Sequence, residues 1–305
     1  MRVLITGGTG FIGRHLIRAL HQRGAEITVL SRNTKAASVL LGPKVNVIDH
    51  LPSASELNNI DAVFNLAGEP IAEKRWSQSQ KRKICDSRWQ LTEQLANTLE
   101  NCANPPVFIS GSAIGFYGNQ GNNWVDEHTP IDEKTLQQDF AHQVCFQWEQ
   151  NALRVAQLTR VCIVRTGLVL APQFGALKKM LPPYRLGLGG PIGSGQQYMS
   201  WIHIDDMVQL LLFLLDSADA HGIYNATAPQ PATNAEFSRQ LAATLNRPHF
   251  LFTPALLLKL ALGEMAQLLI EGQRVKPTRL LDAGFNFQYP DLSSALHQLL
   301  DEPKV

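Results

Sequence analysis

The sequence predicts an α/β protein: a doubly wound parallel sheet joined to a smaller, mostly helical lobe. Three observations carry this. Short apolar runs alternate with helix-period segments from the first residue to about residue 170. A glycine triplet, Gly7, Gly10 and Gly13, stands between the first apolar run and the first helical segment. Beyond that the texture changes, to a glycine-rich loop (186–195) and then segments of helical period, with no internal repeats and no low-complexity tracts.

In chain order, Val3, Leu4 and Ile5 read as a buried strand, and Phe11 to Gln22 as a helix with Phe11, Ile12, His15, Leu16, Ala19 and Leu20 on one face. Between them Gly7 permits a tight turn, Gly10 lets backbone approach a pyrophosphate, and Gly13 lets helix and strand pack closely. The helix start offers unpaired N–H groups and a positive dipole end to that pyrophosphate. A dinucleotide is therefore the expected ligand.

Glu26 to Leu30 is the second strand, ending in Ser31-Arg32-Asn33. A carboxylate there would favour NAD. Arg32 instead suits a 2′-phosphate, with Ser31 and Asn33 as neutral donors, so NADP is expected over NAD. Val45–Ile48 and Ile60–Leu66 are the third and fourth strands. The fourth runs into Asn65-Leu66-Ala67-Gly68-Glu69, small enough for a cofactor to cross the sheet edge. A helix is expected from Ser77 to Asn101, a fifth strand over Val107–Ser110, a polar loop over Asn119–Pro130, a helix over Leu136–Ala156, and one strand over Leu158–Leu170. In the later part a helix over Met207–Leu215, a strand at Tyr224–Ala226 and a helix over Thr233–Leu245 are expected. His203 beside Asp205 and Asp206 suggests a metal, but a helix cap by either aspartate explains the cluster more simply, and no metal is expected.

The cofactor-binding set read from these stretches is Gly7, Thr9, Gly10, Phe11, Ile12, Gly13, Ser31, Arg32, Leu66, Ala67, Gly68, Glu69 and Ser110. Ser112, at the end of a central strand, is placed to hydrogen-bond a substrate carbonyl, and Tyr117 follows five residues later. Arg88, Gln197, Tyr198 and Trp201 are the candidate substrate residues: a guanidinium for an anionic group, and flat or amide groups for a sugar or aromatic ring.

The totals narrow the function classes. A formal charge of +1 gives no reason to expect nucleic acid or an anionic membrane. The most apolar run, Pro254 to Ile270, is interrupted by Lys259, Gly263 and Glu264, so no membrane span is expected. Four cysteines without C-x-x-C spacing argue against a zinc site or a disulfide framework. With Met1-Arg2 leading directly into a strand, a cytoplasmic protein is expected.

Gly7-Gly-Thr-Gly-Phe-Ile-Gly13, Asn65-Leu-Ala-Gly68, Ser110-Gly-Ser112 and Trp201-Ile-His-Ile-Asp-Asp206 together resemble the extended short-chain dehydrogenase/reductase (SDR) superfamily of nucleotide-sugar epimerases and dehydratases, a Rossmann-type fold. Asn65 to Ile71, Lys74-Arg-Trp76, Arg185 to Gly195 and Gly272-Gln-Arg-Val-Lys-Pro277 resemble more specifically its "epimerase family protein" branch, of the YfcH and SDR39U type. The resemblance implies an NADP-binding core over 1–170 with 205–226 returning to it. It also implies substrate-lobe segments at 171–204 and 227–247 and a C-terminal helical extension over 248–305. By analogy of fold, a monomer or a homodimer through helices 77–101 and 136–156 is expected.

The superfamily's catalytic apparatus is a serine and a Y-x-x-x-K pair, in which the lysine lowers the phenol pKa one helical turn away. Counting back from Glu149 puts Cys145 at the lysine and Ala141 at the tyrosine, while Arg88 stands near the usual helix asparagine. Only Ser112 remains by position. Three accounts stay open: Tyr117 as an acid from another direction, Cys145 as a thiol acid or nucleophile if its pKa is depressed, or NADP binding without redox chemistry. The functions implied are an atypical oxidoreductase or epimerase-like enzyme acting on a small polar molecule, or an NADP(H)-binding regulatory protein.

Overall fold

The sheet is built outward from β1 (Arg2–Thr6), whose Val3, Leu4 and Ile5 are fully buried, as a central parallel strand covered on both faces requires. The computed structural model describes residues 1–132 and 137–301. β1 leads through the glycine loop to α1 (Phe11–Gln22), then β2 (Glu26–Leu30), α2 (Thr34–Leu41), β3 (Val45–Ile48), α3 (Ala54–Leu57) and β4 (Ala62–Asn65). α4 (Gln78–Leu99) and β5 (Val107–Ala113) follow, then the short strand β6 (Trp124–Val125), α5 (Phe140–Leu153) and β7 (Val161–Thr166). The remainder holds β8 (Leu168–Leu170), α6 (Gly175–Arg185), β9 (Tyr198–Met199), β10 (Trp201–His203), α7 (Ile204–Asp216) and β11 (Gly222–Ala226). Beyond these lie β12 (Ala232–Thr233), α8 (Asn234–Thr244), α9 (Ala255–Leu262) and β13 (Arg274–Val275), then helices at Thr278–Asp282 and Leu292–Asp301.

Seven strands form one parallel sheet in the order β11-β7-β5-β4-β1-β2-β3. The chain starts in the middle, works outward to β3, then crosses back to β4. The reversal between β1 and β4 is the topological switch point at which ligands of such sheets bind. One core layer packs α1 and α7 against one face, around Leu16, Leu20, Phe64, Ile109, Met207 and Leu211. The other packs α4 and α5 against the opposite face, around Leu4, Val63, Leu95, Phe108, Ala152 and Ile163.

The structure departs from the expected elements in four places. The single strand expected over Leu158–Leu170 is two, because a Cβ at Gly167 would sit 2.3 Å from the Ser200 carbonyl oxygen. The chain turns there, and β8 leaves the sheet to pair with β10. The polar stretch Asn119–Pro130 contains β6, which pairs in parallel with β13 and brings the C-terminal region onto the loop after β5. The cap of α7 is His203, whose Nδ1 accepts from the Asp205 amide, rather than either aspartate. Asp206 is instead fully buried and accepts the backbone N–H groups of Gln288 (2.7 Å) and Tyr289 (3.0 Å). The helix expected from Leu136 begins at Phe140, capped by Asp139, and Leu136 itself lies outside the described residues, as do positions 302–305 of the C-terminal extension.

Among the described residues no helix is long and apolar enough to cross a membrane. None of them forms a group of three or more His, Cys, Asp or Glu side chains able to hold a metal ion.

Candidate cofactor and substrate site

The carboxyl ends of β1, β4 and β5 are tied by one buried polar chain. Register places Thr6 beside Asn65 and Asn65 beside Ser110. The Thr6 hydroxyl donates to Asn65 Oδ1 (2.9 Å), and Asn65 Nδ2 donates to Ser110 Oγ (3.1 Å) and to Thr92 Oγ1 (2.7 Å) on α4. Thr6 Oγ1 then accepts the Ala67 amide at 3.2 Å. This fixes Leu66-Ala67-Gly68 as it leaves the sheet. Ser110 is wholly buried in this chain, so its hydroxyl braces the groove from below. Thr6 and Thr92 are part of the construction and were not legible as site residues, because their partner Asn65 is brought to them only by the pairing of β1 with β4 and the packing of α4.

Across the switch point the glycine loop makes its turn. Gly7 has φ +73°, and a Cβ there would lie 2.6 Å from the Leu66 carbonyl group, so loop and β4 end touch through backbone. A Cβ at Gly13 would lie 2.4 Å from the Gly7 oxygen, which seats α1 on the loop. Gly10 is exposed and has only the Gly7 oxygen nearby, leaving its backbone open to a ligand. It is also the N-cap of α1 and supplies no side-chain bond, so the N–H groups of Phe11, Ile12 and Gly13 begin the helix uncapped. Thr9, Phe11 and Ile12 are half-buried around it. Phe11 stacks on Phe174 (centroids 5.0 Å apart), and the Arg14 guanidinium lies over the far ring at 4.4 Å. Arg14 Nε is buried without a hydrogen-bond partner.

At the end of β2, Ser31 and Asn33 are locally engaged. The Ser31 hydroxyl donates to the Asn33 carbonyl, and Asn33 Oδ1 caps α2 through the Ala36 amide. Arg32 is exposed and makes no hydrogen bond or ion pair with a described residue. An uncapped helix start, an open glycine backbone, an orphaned arginine nitrogen beside it and a free arginine at the end of β2 together fit a phosphate-rich dinucleotide.

Over β5 the picture differs from the expectation. Ser112 is nearly buried, and its hydroxyl donates to Glu149 Oε1 at 2.6 Å. Glu149 is in turn gripped by Arg165, Nε to Oε1 and Nη2 to Oε2, both at 2.8 Å, with both side chains at most 4 % exposed. Arg165 is sandwiched, its guanidinium 3.5 Å from the Phe116 ring centroid. The proton of Ser112 is therefore directed to Glu149. This Ser112–Glu149–Arg165 chain was not readable in sequence, where Glu149 is only a family mark and Arg165 one residue of a strand.

The structure places the two other catalytic candidates in buried surroundings. Tyr117 is fully buried in a 3-10 turn, donates to Asn225 Oδ1 (2.9 Å), and burial pushes its pKa up to about 12, so it packs rather than delivers protons. Cys145 lies against the Ser112 hydroxyl and the Ala113 backbone, but burial, reinforced by the Glu149 charge, pushes its thiol up to about 11. That shift disfavours a nucleophilic thiolate.

The candidate substrate residues divide. Arg88 lies against Gly68, where a Cβ would meet its Cζ at 2.6 Å, and over the Trp148 ring. Its Nη1 donates to the carbonyls of Glu69 (3.0 Å) and Ile84 (3.1 Å), so it clamps the post-β4 loop to α4. Glu69 is held in the same place, its amide donating to Ser87 Oγ and its carboxylate accepting from Gln80. Gln197 spends its amide N–H groups on the carbonyls of Ile192 and Leu269. Trp201 is corrected: it is fully buried beside Tyr184 and Phe237, with its N–H donated to the Gln230 carbonyl, and lines nothing. Tyr198 remains half-buried, its ring against Arg274.

A strand-order reversal with a glycine loop on one side and a small-residue strand end on the other defines a nucleotide-binding α/β protein. The NAD dependent epimerase/dehydratase family matches residues 3–227, and a domain of unknown function (DUF1731) matches residues 253–299. The chain belongs to that epimerase/dehydratase family, the extended SDR group, with the DUF1731 C-terminal domain. Among its relatives, epimerase family protein SDR39U1 of Homo sapiens is 38% identical over 304 residues, covering 98% of this chain and 100% of the human one. Epimerase family protein SSP1921 of Staphylococcus saprophyticus is 41% identical over 303 residues, 97% of this chain and 98% of its own. The crystal structure of human SDR39U1 (isoform 2) with NADPH superposes with a TM-score of 0.88 at 36% identity, covering 99% of this chain and 100% of that one.

Proposed function

We propose that this chain binds NADP(H) across the carboxyl edge of its sheet and acts as an atypical SDR-type oxidoreductase or epimerase-like enzyme on a small polar substrate. The observation that carries the cofactor half is Arg32, unpartnered at the end of β2 in line with the open glycine loop. That human SDR39U1, similar over its full length, was crystallised with NADPH supports it. In this reading Gly10 and the first amides of α1 hold the pyrophosphate, Arg14 flanks it, Arg32 takes the 2′-phosphate, and Leu66 to Glu69 line the passage over the sheet. Bound there, the nicotinamide would supply or accept a hydride. Residues 1–170 with 205–226 would form the cofactor core, 171–204 and 227–247 the substrate lobe, and 248–301 a covering extension. The four unpaired cysteines fit a reducing compartment such as the cytoplasm.

The chemistry proposed for the chain's own residues is limited to positioning. Ser112, its proton held by Glu149, would accept a hydrogen bond from a substrate hydroxyl and orient that carbon toward the nicotinamide. A second reading has a specific observation behind it: Ala141 and Cys145 stand where the family has its tyrosine and lysine, and burial keeps the Cys145 thiol protonated and neutral. That favours an NADP(H)-binding regulatory protein without turnover. A screen of polar carbonyl compounds and alcohols separates the two, following both the reduced-nicotinamide absorbance in each direction and, because an epimerase regenerates its cofactor in every cycle, the stereochemistry of the recovered compound. Turnover above the cofactor's own decay, diminished in Ser112→Ala, supports the enzyme. A protein that binds NADPH but turns over nothing in the screen supports the regulatory reading.

A further inference from the structure

β13 alternates across its pairing with β6. Val275 points inward to Val125 and Tyr117, and Arg274 points to the opposite face. There the Arg274 guanidinium lies between two rings, 4.0 Å from the Trp124 centroid and 4.7 Å from that of Tyr198. The backbone on either side is fixed by one serine. Ser200 Oγ donates to the Gln273 carbonyl (2.7 Å) and accepts the Val275 amide (2.9 Å). Gly272 permits the approach, since a Cβ there would sit 2.2 Å from the Tyr198 oxygen.

The guanidinium makes no hydrogen bond or ion pair with any described residue, and its Nε is buried without a partner. Arg14, beside the glycine loop, is left unpaired in the same way, whereas three other partly or fully buried arginines pair their donors. Arg165 spends its in-plane donors on Glu149, Arg160 on the carbonyls of Leu214, Leu215 and Ala220, and Arg279 on that of Ile223. An arginine that only braces the fold saturates its donors in this way. At Arg274 the two faces are covered and the edge is left unpaired. A planar fork presented like this suits bidentate pairing with an oxyanion in its own plane. The segment also lies over the working edge of the sheet. The Lys276 carbonyl accepts from Asn225 Nδ2 at the end of β11, and the Gly272 carbonyl from the Gln120 amide in the loop after β5.

We propose that Arg274, stacked between Trp124 and Tyr198, is the oxyanion-binding residue of the substrate site, and that the substrate carries a carboxylate or phosphate group. This rests on the reading that the same edge takes a small polar substrate. It joins Arg88 as a candidate anion holder: Arg88 turns its Nη1 to backbone carbonyls, whereas Arg274 has no hydrogen-bond partner among the described residues.

The test uses the full chain saturated with NADPH and labelled with 15N. The Arg274 Nε–H and Trp124 indole N–H signals, assigned through Arg274→Gln and Trp124→Phe, are followed while inorganic phosphate or acetate replaces chloride at constant ionic strength. Saturable shifts with phosphate alone mark a phosphate ester, with acetate alone a carboxylate, and either supports the site. In Arg274→Lys, read through the indole signal, affinity falls about tenfold or more, because the fork is lost while the charge stays. Signals that drift linearly with both anions, as with chloride, overturn the proposal, as does a lysine variant of undiminished affinity. Failure of NADPH itself to saturate the wild-type chain would sink the cofactor reading separately, since that titration is done first.

Discussion

Replacing Glu149 by methionine removes the acceptor of three hydrogen bonds and leaves the Arg165 guanidinium charged and buried with no counterion. Breaking a buried pair from one side costs about 3–5 kcal/mol, whereas replacing both partners by apolar residues is often close to neutral. With an unfolding entropy of about 2.1 cal/mol/K per residue, the 305-residue chain has roughly 0.64 kcal/mol/K at its midpoint. The expected fall in Tm for Glu149→Met is therefore about 5–8 °C. Arg165→Met should cost less, because the stranded carboxylate can take up a proton and become neutral. The double variant should recover most of the loss, so the two substitutions are strongly non-additive. Calorimetric melts of the four proteins measure this directly. Single variants within about 2 °C of wild type, or a double variant that loses the sum, would refute the idea that this pair is a coupled, desolvated unit holding Ser112.

Burial places the folded-state thiols of Cys145 and Cys162 at about 11, against an ordinary value of 9.0. The folded chain then holds these protons more tightly than the unfolded one, so their contribution is constant below about pH 9 and is lost as pH rises toward 11. A melting series should show that decline, reduced in Cys145→Ala, while iodoacetamide at neutral pH leaves Cys145 unmodified; rapid labelling of native Cys145 would contradict it. Asp206→Ala strips the acceptor from the Gln288 and Tyr289 amides and should cost about 2–4 kcal/mol. Its signature is faster hydrogen exchange at those two amides, and unchanged exchange would show that the C-terminal region is tied down elsewhere.

What the sequence disclosed was what local chemistry dictates. Gly7, Gly10 and Gly13 announce a strand, a loop and a helix because each has a backbone reason to lack a side chain, and the doubly wound parallel sheet followed from the alternation of strands and helices. Arg32 could be singled out as a candidate because a strand end before a crossover is a fixed place in the fold. Trp201 misled, since a tryptophan after a glycine-rich loop looks exposed until β10 is seen to pair with β8 and carry it into the core. Tyr117 misled in the same way: its burial depends on β6 and on β13, about 150 residues further along the chain. The Glu149–Arg165 pair joins a helix to a strand, and only the fold shows that both side chains share one dry space. Arg274 belonged to a recognisable motif, but its unpaired edge is a property of the rings around it.

The central claim is that the open glycine loop and Arg32 select NADP(H), and paired calorimetric titrations of NADPH and NADH test it most directly, on wild type and on Arg32→Ala. A lost arginine–phosphate pair is worth about 1.5–3 kcal/mol, roughly tenfold to 150-fold in affinity. The account predicts that wild type prefers NADPH, and that Arg32→Ala loses that margin while its affinity for NADH is little changed. Equal binding of the two nucleotides by wild type, or undiminished NADPH affinity in the variant, would contradict it.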